Sequence, residues 1–283
     1  MPELPEVETI KNALKPHLTG RSFKGIRIFD TRLVQSMPLD EFCSRLTGLQ
    51  ILGLDRRGKY LIIHLSGGEN LIIHLRMTGS LLWDPDTDEP FVRMEFVLDD
   101  GGRLAYTDVR RFGRMYLVKD IEKITGKLGT EPLGRGFTPQ YLAQVMQNRE
   151  TPVKSVLLNQ EFIAGIGNMY ADEALCHAKI HPLRPARSLT PSEIKVLHKS
   201  IKHVLNKGIR NLGASIRNYR HPDGGQGSAH KEFAVAHRLG EPCPVCGTPI
   251  ARIVVGQRGT YYCPKCQVQG KSRVKKTVRE GKL

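Results

Sequence analysis

The sequence predicts a multidomain α+β protein: an N-terminal β-sandwich entered through one helix, then a helical half, then a small four-cysteine module. Three observations predict it. At 283 residues the chain exceeds one comfortable hydrophobic core, so at least two domains are expected. Residues 20 to 120 read as short strands, whereas the chain beyond about 140 carries proline-led helix starts and glycine-bearing turns. Near the end stand Cys243-Pro-Val-Cys246 and Cys263-Pro-Lys-Cys266, with sixteen residues between the pairs.

The first element is an amphipathic helix with Leu4, Val7, Ile10 and Leu14 on one face. Tyr60 to Leu65 and Leu71 to Arg76 share the string Leu-Ile-Ile-His-Leu across Ser66-Gly67-Gly68-Glu69-Asn70, which reads as a hairpin. His64 and His74 occupy matching places in that repeat and are expected to be satisfied or exposed strand histidines. Phe91 to Leu98, Arg103 to Thr107 and Arg114 to Val118 continue the all-β pattern of a sandwich. A linker rich in glycine and proline covers 126 to 139. Thr151-Pro152 reads as an N-cap followed by a proline at the first helical position, opening a helix through about Asn159. Asn168 suits the cap of a further helix running to about Lys179. The approach Gly165-Ile166-Gly167-Asn168 would expose unpaired N–H groups of the kind that bind phosphate, although such a glycine pair is more often only a turn. Thr190-Pro191-Ser192-Glu193 forms a capping box for a helix ending near Gly208. Residues 221 to 242, with Gly224, Gly225 and Gly227, read as a long flexible loop.

The cysteine spacing fits a site of four thiolates for one structural Zn²⁺. No secretory signal or long apolar run precedes it, so a reducing cytosol is expected and metal accounts for these thiols better than disulfides. Ile250 to Val255 and Thr260 to Cys263 read as two strands joined by Gly256-Gln257-Arg258-Gly259, projecting Arg258 from a rigid tip. Cys43 and Cys176 are expected to be ordinary buried residues.

Lys+Arg 43 against Asp+Glu 28 leaves a net charge of +15, and the sequence pI is about 9.7. Such a balance points to a polyanionic partner through counterion release and steering. Nine of the basic residues lie between Arg184 and Arg220, against the single acid Glu193, and the tail from Gln267 onward is basic as well. The opening Met1-Pro2-Glu3-Leu4-Pro5-Glu6 goes the other way. Methionine is normally removed before a small second residue, which would leave the secondary amine of Pro2 as the terminus. An α-amino group titrates near 7.7 to 8, against about 10.4 for lysine, so far more of it is neutral at physiological pH. Condensed with a sugar aldehyde, it gives a cationic iminium that makes neighbouring C–H and C–O bonds labile. Glu3 supplies an adjacent acid or base.

The motifs PELPEVET from Pro2, RRGKYL around Lys59, HLRMTGSL around Met77, DVRRFG from Asp108, LLNQEFIAGIGNMYADEAL from Leu157, and CPVC with QRGTYYCPKCQ occur in order. With them the chain resembles the bacterial formamidopyrimidine-DNA glycosylases over nearly its whole length. The resemblance implies a β-sandwich joined to a helix–two-turn–helix domain with a zinc finger, and duplex DNA with an oxidised base in the cleft between them. The domains would then be 1 to 125, a linker 126 to 139, the helix–two-turn–helix domain 140 to 240 with its lesion-capping loop, a zinc finger 241 to 267 held by Cys243, Cys246, Cys263 and Cys266, and a basic tail 268 to 283. It further implies a monomeric, cytoplasmic repair enzyme that excises oxidised purines and cuts the strand by β,δ-elimination. Pro2 would be the nucleophile, Glu3 the proton shuttle, and Glu6 a support for the sugar or the flipped nucleotide. Lys59, Asn168 and Arg258 would grip phosphates, with His74 and Lys154 as further candidates. Met77, Arg110 and Phe112 would fill the vacated stack, as apolar wedges and a donor-rich arginine can. Arg111 is the neighbour to be distinguished from Arg110. The chain departs from the family where the usual Tyr-Gly before Arg238 is Ala236-His237, which leaves the detail of base capping open.

Other readings are a sister glycosylase of the endonuclease VIII type for oxidised pyrimidines, a non-catalytic zinc protein that binds DNA, and a tautomerase with a terminal proline. Leu4 favours the purine branch over the first of these. Intact Pro2, Glu3 and Lys59 argue against the second, and the charge and cysteine module argue against the third.

Overall fold

The computed structural model describes residues 2–216 and 218–269; residues 270–283, most of the expected basic tail, lie outside them. Helix α1 (Leu4–Leu18) is followed by strands β1 (Phe23–Ile28), β2 (Ile51–Arg57), β3 (Tyr60–Leu65), β4 (Asn70–His74), β5 (Gly79–Trp83), β6 (Val92–Leu98), β7 (Arg103–Asp108) and β8 (Arg114–Val118), with helix α2 (Leu39–Leu46) after β1. The strands form two antiparallel four-stranded sheets, ordered β1-β6-β7-β5 and β2-β3-β4-β8. Alternating apolar residues such as Leu61, Ile63, Leu71 and Ile73 meet Phe23, Phe96 and Leu104 between the sheets, and Val7, Ile10 and Leu14 close that core from α1. The repeated Leu-Ile-Ile-His-Leu strings pair as expected, with Ile62 opposite Ile72 and Tyr60 opposite His74.

The second half holds α3 (Glu122–Thr125), α4 (Pro139–Met146), α5 (Val153–Leu158), α6 (Asn168–His177) and α7 (Pro191–Arg210), ending in the hairpin β9 (Ala251–Val255) and β10 (Arg258–Tyr262). Thr190 and Glu193 form the expected capping box of α7. The halves exchange side chains: Leu4 of α1 is buried in the helical core, and Tyr219 of the helical half is buried in the sandwich core.

Several sequence expectations are corrected. The span 20 to 120 is not wholly strand, because α2 buries Phe42 and Leu46 at helical spacing. Cys43, on the same helix, is only partly buried, while Cys176 is buried beside Cys243 and Cys263. Pro152, not Thr151, borders α5, and no side chain caps it; Thr151 instead offers its carbonyl to the Ala186 N–H at 3.0 Å. Asn168 is the first residue of α6 rather than its cap, which is Gly167. The stretch 221 to 242 is not a free loop throughout, since Phe233, Val235 and Ala236 are buried. The N–H groups of Ala234, Val235 and Ala236 donate to the Glu173 carboxylate at 2.8 to 2.9 Å. The zinc-module hairpin turns on two residues, Gly256 (φ 53°) and Gln257 (φ 63°), both left-handed as a type I′ turn requires. Arg258 therefore opens β10, paired with Val255, instead of sitting in the turn.

Candidate active site and metal centre

Helix α1 begins where it meets the start of α6, and that junction holds the N-terminal residues. Leu4 donates its N–H to the Gly165 carbonyl at 3.0 Å, and the Glu3 carboxylate accepts from the N–H groups of Gly167 (2.9 Å), Met169 (3.0 Å) and Tyr170 (3.3 Å). The helix N-terminus read as a phosphate cradle is thus filled by Glu3, an anion its dipole and unpaired donors favour. The glycines serve this close approach. A Cβ on Gly167 would stand 2.3 Å from the Glu3 carboxyl carbon, and one on Gly165, at φ 89°, 2.8 Å from Leu4.

Glu6 is wholly buried and accepts from Glu3 N–H (2.7 Å), the Tyr170 hydroxyl (2.8 Å) and Ala214 N–H (2.9 Å). Burial, reinforced by the nearby Glu3 charge, raises its carboxyl to about 7. Pro2 and Glu6 floor a cavity of about 470 Å³ whose walls include Met77, Arg110, Tyr219 and His237. His237 adopts a left-handed φ of 63° and tilts against Tyr261 at 5.4 Å between ring centres.

A second cleft, of about 260 Å³, gathers Lys59, His74, Asn168 and Arg258. Lys59 is 7% exposed, and burial lowers its ammonium against the opposing pull of Glu3. His74 is pushed down to about 3, first by burial and then by Arg76 and Lys59, so it is neutral. Its Nδ1 accepts the Arg76 N–H at 3.0 Å, which leaves Nε2 as the ring donor. Asn168 donates to the Gly259 carbonyl at 2.9 Å, which ties α6 to the hairpin carrying Arg258. His64 is satisfied by Asn70 (2.8 Å) and Asp55 (3.0 Å).

Lys154 is not in this cleft. It is fully buried, 2.7 Å from Asp172 and 2.7 Å from the Thr260 hydroxyl, and Asp172 in turn accepts the Tyr261 N–H at 3.0 Å. Burial lowers the lysine and raises the acid, and their mutual attraction opposes both shifts. The pair fastens the hairpin to α6. Lys154→Met would strand a buried carboxylate and is expected to cost about 3 to 5 kcal/mol in thermal unfolding, with much of it recovered by adding Asp172→Leu. An unaltered melting temperature would refute this structural role.

Met77, in the wall of the first cavity, is 39% exposed, and the guanidinium of Arg110, also in that wall, lies at 4.6 Å over the ring of Phe112, itself 45% exposed. Exposed apolar side chains beside a cavity suit contact with a partner better than core packing. Arg111 instead turns back to Asp30 at 3.1 Å, which separates its place from that of Arg110.

Sequence reasoning missed three acids, of which Asp172 and Glu173 are buried and Glu131 is partly buried. Glu131, in the linker, accepts from Arg56 (2.9 Å), Arg57 (3.3 Å) and the Gly58 N–H, fixing the turn before Lys59. Asp172 and Glu173 lie in a helix otherwise buried on nearly all sides, and two acids in such a setting were the available signal.

The four module cysteines place their sulfurs within 4.8 Å of one another, with Cys243–Cys266 at 4.0 Å, Cys246–Cys263 at 3.5 Å and Cys246–Cys266 at 3.4 Å. Zn–S bonds of about 2.3 Å in a tetrahedron put sulfurs about 3.8 Å apart, so the set fits one structural zinc. Among the described residues no helix is long and apolar enough to cross a membrane.

Comparison with known proteins covers the same parts. Residues 1–115 match the formamidopyrimidine-DNA glycosylase N-terminal domain, 128–220 the H2TH domain of that enzyme, and 240–268 the zinc finger found in FPG and IleRS. A formamidopyrimidine-DNA glycosylase of Chloroflexus aurantiacus is 47% identical over 272 residues, spanning 95% of this chain and 98% of that protein. One from Symbiobacterium thermophilum is 44% identical, spanning 94% and 89%. The MutM (FPG) crystal structure from Thermus thermophilus superposes with a TM-score of 0.86 at 39% identity, over 95% of this chain and all of that one. A Lactococcus lactis Fpg complexed with abasic-site DNA gives 0.88 at 35% identity, over 94% and 100%. A sandwich, an H2TH half and a zinc finger matched end to end define a DNA glycosylase of base-excision repair. The chain belongs to the formamidopyrimidine-DNA glycosylase family.

Proposed function

We propose that this protein excises 8-oxoguanine and formamidopyrimidines from duplex DNA through an iminium on Pro2, then cuts the strand by β,δ-elimination. The observation that carries the reading is the single cavity floored by Pro2 and Glu6 and opened by Met77 and Arg110, beside a cleft lined by Lys59, Asn168 and Arg258. A Lactococcus lactis Fpg variant of similar fold was crystallised with Fapy-dG DNA. Working as a monomer in the cytoplasm, the protein would flip the damaged nucleotide into the cavity, as chemistry on a stacked base requires.

With Met1 removed, the Pro2 nitrogen would attack the deoxyribose C1′ as the base leaves with a proton. The C1′–O4′ bond then breaks, O4′ taking a proton and the Pro2 nitrogen having lost its own, to leave a ring-opened iminium that acidifies C2′; loss of that C2′ proton expels the 3′ phosphate, and a further elimination expels the 5′ phosphate. Glu3 suits the shuttling of these protons. Its two oxygens already accept three N–H bonds, two on Oε2 and one on Oε1, which fix its orientation and leave an acceptor site on Oε1. Glu6, raised to about 7, can donate to or accept from the sugar. Lys59, neutral His74 through Nε2, Asn168 and Arg258 would hold the flanking phosphates.

Zinc would order the hairpin that presents Arg258, since four thiolates leave no open coordination position. Cys263→Ser is expected to lower DNA affinity by on the order of tenfold or more, before circular dichroism shows loss of the sandwich. Undiminished binding by demonstrably zinc-free protein would contradict this. The main test of the reading is borohydride trapping with 8-oxoguanine duplex, developed below.

A further inference from the structure

We infer that Asp108 is a positioning residue that locks the two wedge-bearing loops into one unit, with the Thr78 hydroxyl as the link between them. The inference rests on the insertion role proposed for Met77, Arg110 and Phe112. Met77 sits in the connection from β4 to β5, and Arg110 and Phe112 sit in the connection from β7 to β8. Asp108 ends β7, opposite Gly79 of β5, and is wholly buried.

Five donors converge on its carboxylate. Oδ1 accepts from the Thr78 hydroxyl and from the Arg110 N–H at 3.1 Å. Oδ2 accepts from the N–H groups of Phe112 and Gly113, each at 2.9 Å, and from the Tyr106 hydroxyl at 3.2 Å. The Arg110 N–H also reaches the Thr78 oxygen at 3.1 Å, so Thr78 is bonded both to Asp108 and to Arg110. Only a carboxylate offers enough acceptor sites and no competing donor; an asparagine would turn an NH₂ toward groups that also donate.

The surroundings are shaped for this hub. A Cβ on Gly79 or Gly113 would stand 2.3 Å or 1.7 Å from the Tyr106 hydroxyl oxygen, so both glycines make room for the phenol to reach Asp108. Each loop also holds a non-glycine residue in the left-handed region, Arg76 at φ 56° and Arg111 at φ 59°. Such conformations persist where the surrounding bonds over-determine them. Because one carboxylate holds both loops, the wedges would enter the DNA stack together rather than one at a time.

The test is a double-mutant cycle on insertion. The full chain with zinc is mixed with a duplex carrying a tetrahydrofuran abasic analogue and 2-aminopurine beside the orphaned base, and the amplitude and rate of the fluorescence rise are read. Met77→Ala, Phe112→Ala and their combination are measured in the wild-type background, with Thr78→Val, and with Asp108→Asn. In the wild-type background the double variant is expected to depart from the product of the single effects by about tenfold. With Thr78→Val, which cuts only the link between loops, the effects are expected to multiply independently. Asp108→Asn is expected to behave likewise if it folds, and Thr78→Val decides the matter if it does not. Coupling that survives Thr78→Val would overturn the inference while leaving the wedge roles intact. If neither single variant changes the signal in the wild-type background, the insertion reading itself fails and the inference falls with it.

Discussion

Borohydride added to the protein and an 8-oxoguanine duplex is expected to trap a covalent cross-link that maps to the N-terminal peptide at Pro2. Pro2→Gly is expected to slow single-turnover excision by roughly a hundredfold, about 2.7 kcal/mol of barrier. Two physical differences separate the residues. A secondary amine gives an iminium that is permanently cationic, whereas glycine gives an imine that must hold a proton to act as an electron sink. Proline's ring also fixes the nitrogen on the buried floor of the cavity, where glycine would be free to rotate. The competing nucleophile is Lys59, which is buried near Glu3 and lowered by that burial, so more of it is neutral than of an ordinary lysine. Trapping on Lys59, with Pro2→Gly as fast as wild type, would sink the mechanism.

Much of this architecture was legible because local pattern and tertiary role coincide. The period-2 strings of β3 and β4, the apolar face of α1 and the Thr190 capping box each meet a requirement of their own element, and the fold keeps them. The paired Cys-x-x-Cys strings needed only the chain to bring four sulfurs together. What stayed hidden depends on partners far along the chain. Gly167 is glycine because the carboxylate of Glu3, 164 residues earlier, lies where its side chain would be. No window of sequence carries that fact, so the segment read as a turn or, less commonly, a phosphate loop. Lys154 likewise looked like one more DNA-facing cation until Asp172 and Thr260 enclosed it. The zinc-module turn was placed by its two glycines, but the left-handed φ of Gln257 shifted it and put Arg258 into the strand.

Excision of 8-oxoguanine is expected to be fast opposite cytosine and slow opposite adenine, and Arg110→Ala is expected to shrink that difference. Arg110 has the freedom to read the orphaned base: among the described residues its guanidinium makes no ion pair, and it rests on the Phe112 ring at 4.6 Å, beside the cavity holding Pro2. Arg111, held to Asp30 at 3.1 Å, lacks that freedom. An arginine offers only donors, which suit the O2 and N3 acceptors of cytosine and meet a donor at the N6 of adenine. Losing one good base contact costs on the order of 1 to 3 kcal/mol, or about five- to two-hundredfold, and sets the expected size of the preference. The alanine variant is expected to lose much less on a pre-formed abasic site, where no base is excised. Such a preference also prevents harm, because removing the lesion opposite a misincorporated adenine would make the mutation permanent. Single-turnover kinetics on the two duplexes decide the matter. An unchanged ratio in Arg110→Ala would take the reading role from this residue. Equal wild-type rates opposite the two bases would count against the oxidised-purine assignment itself and favour the pyrimidine-directed alternative.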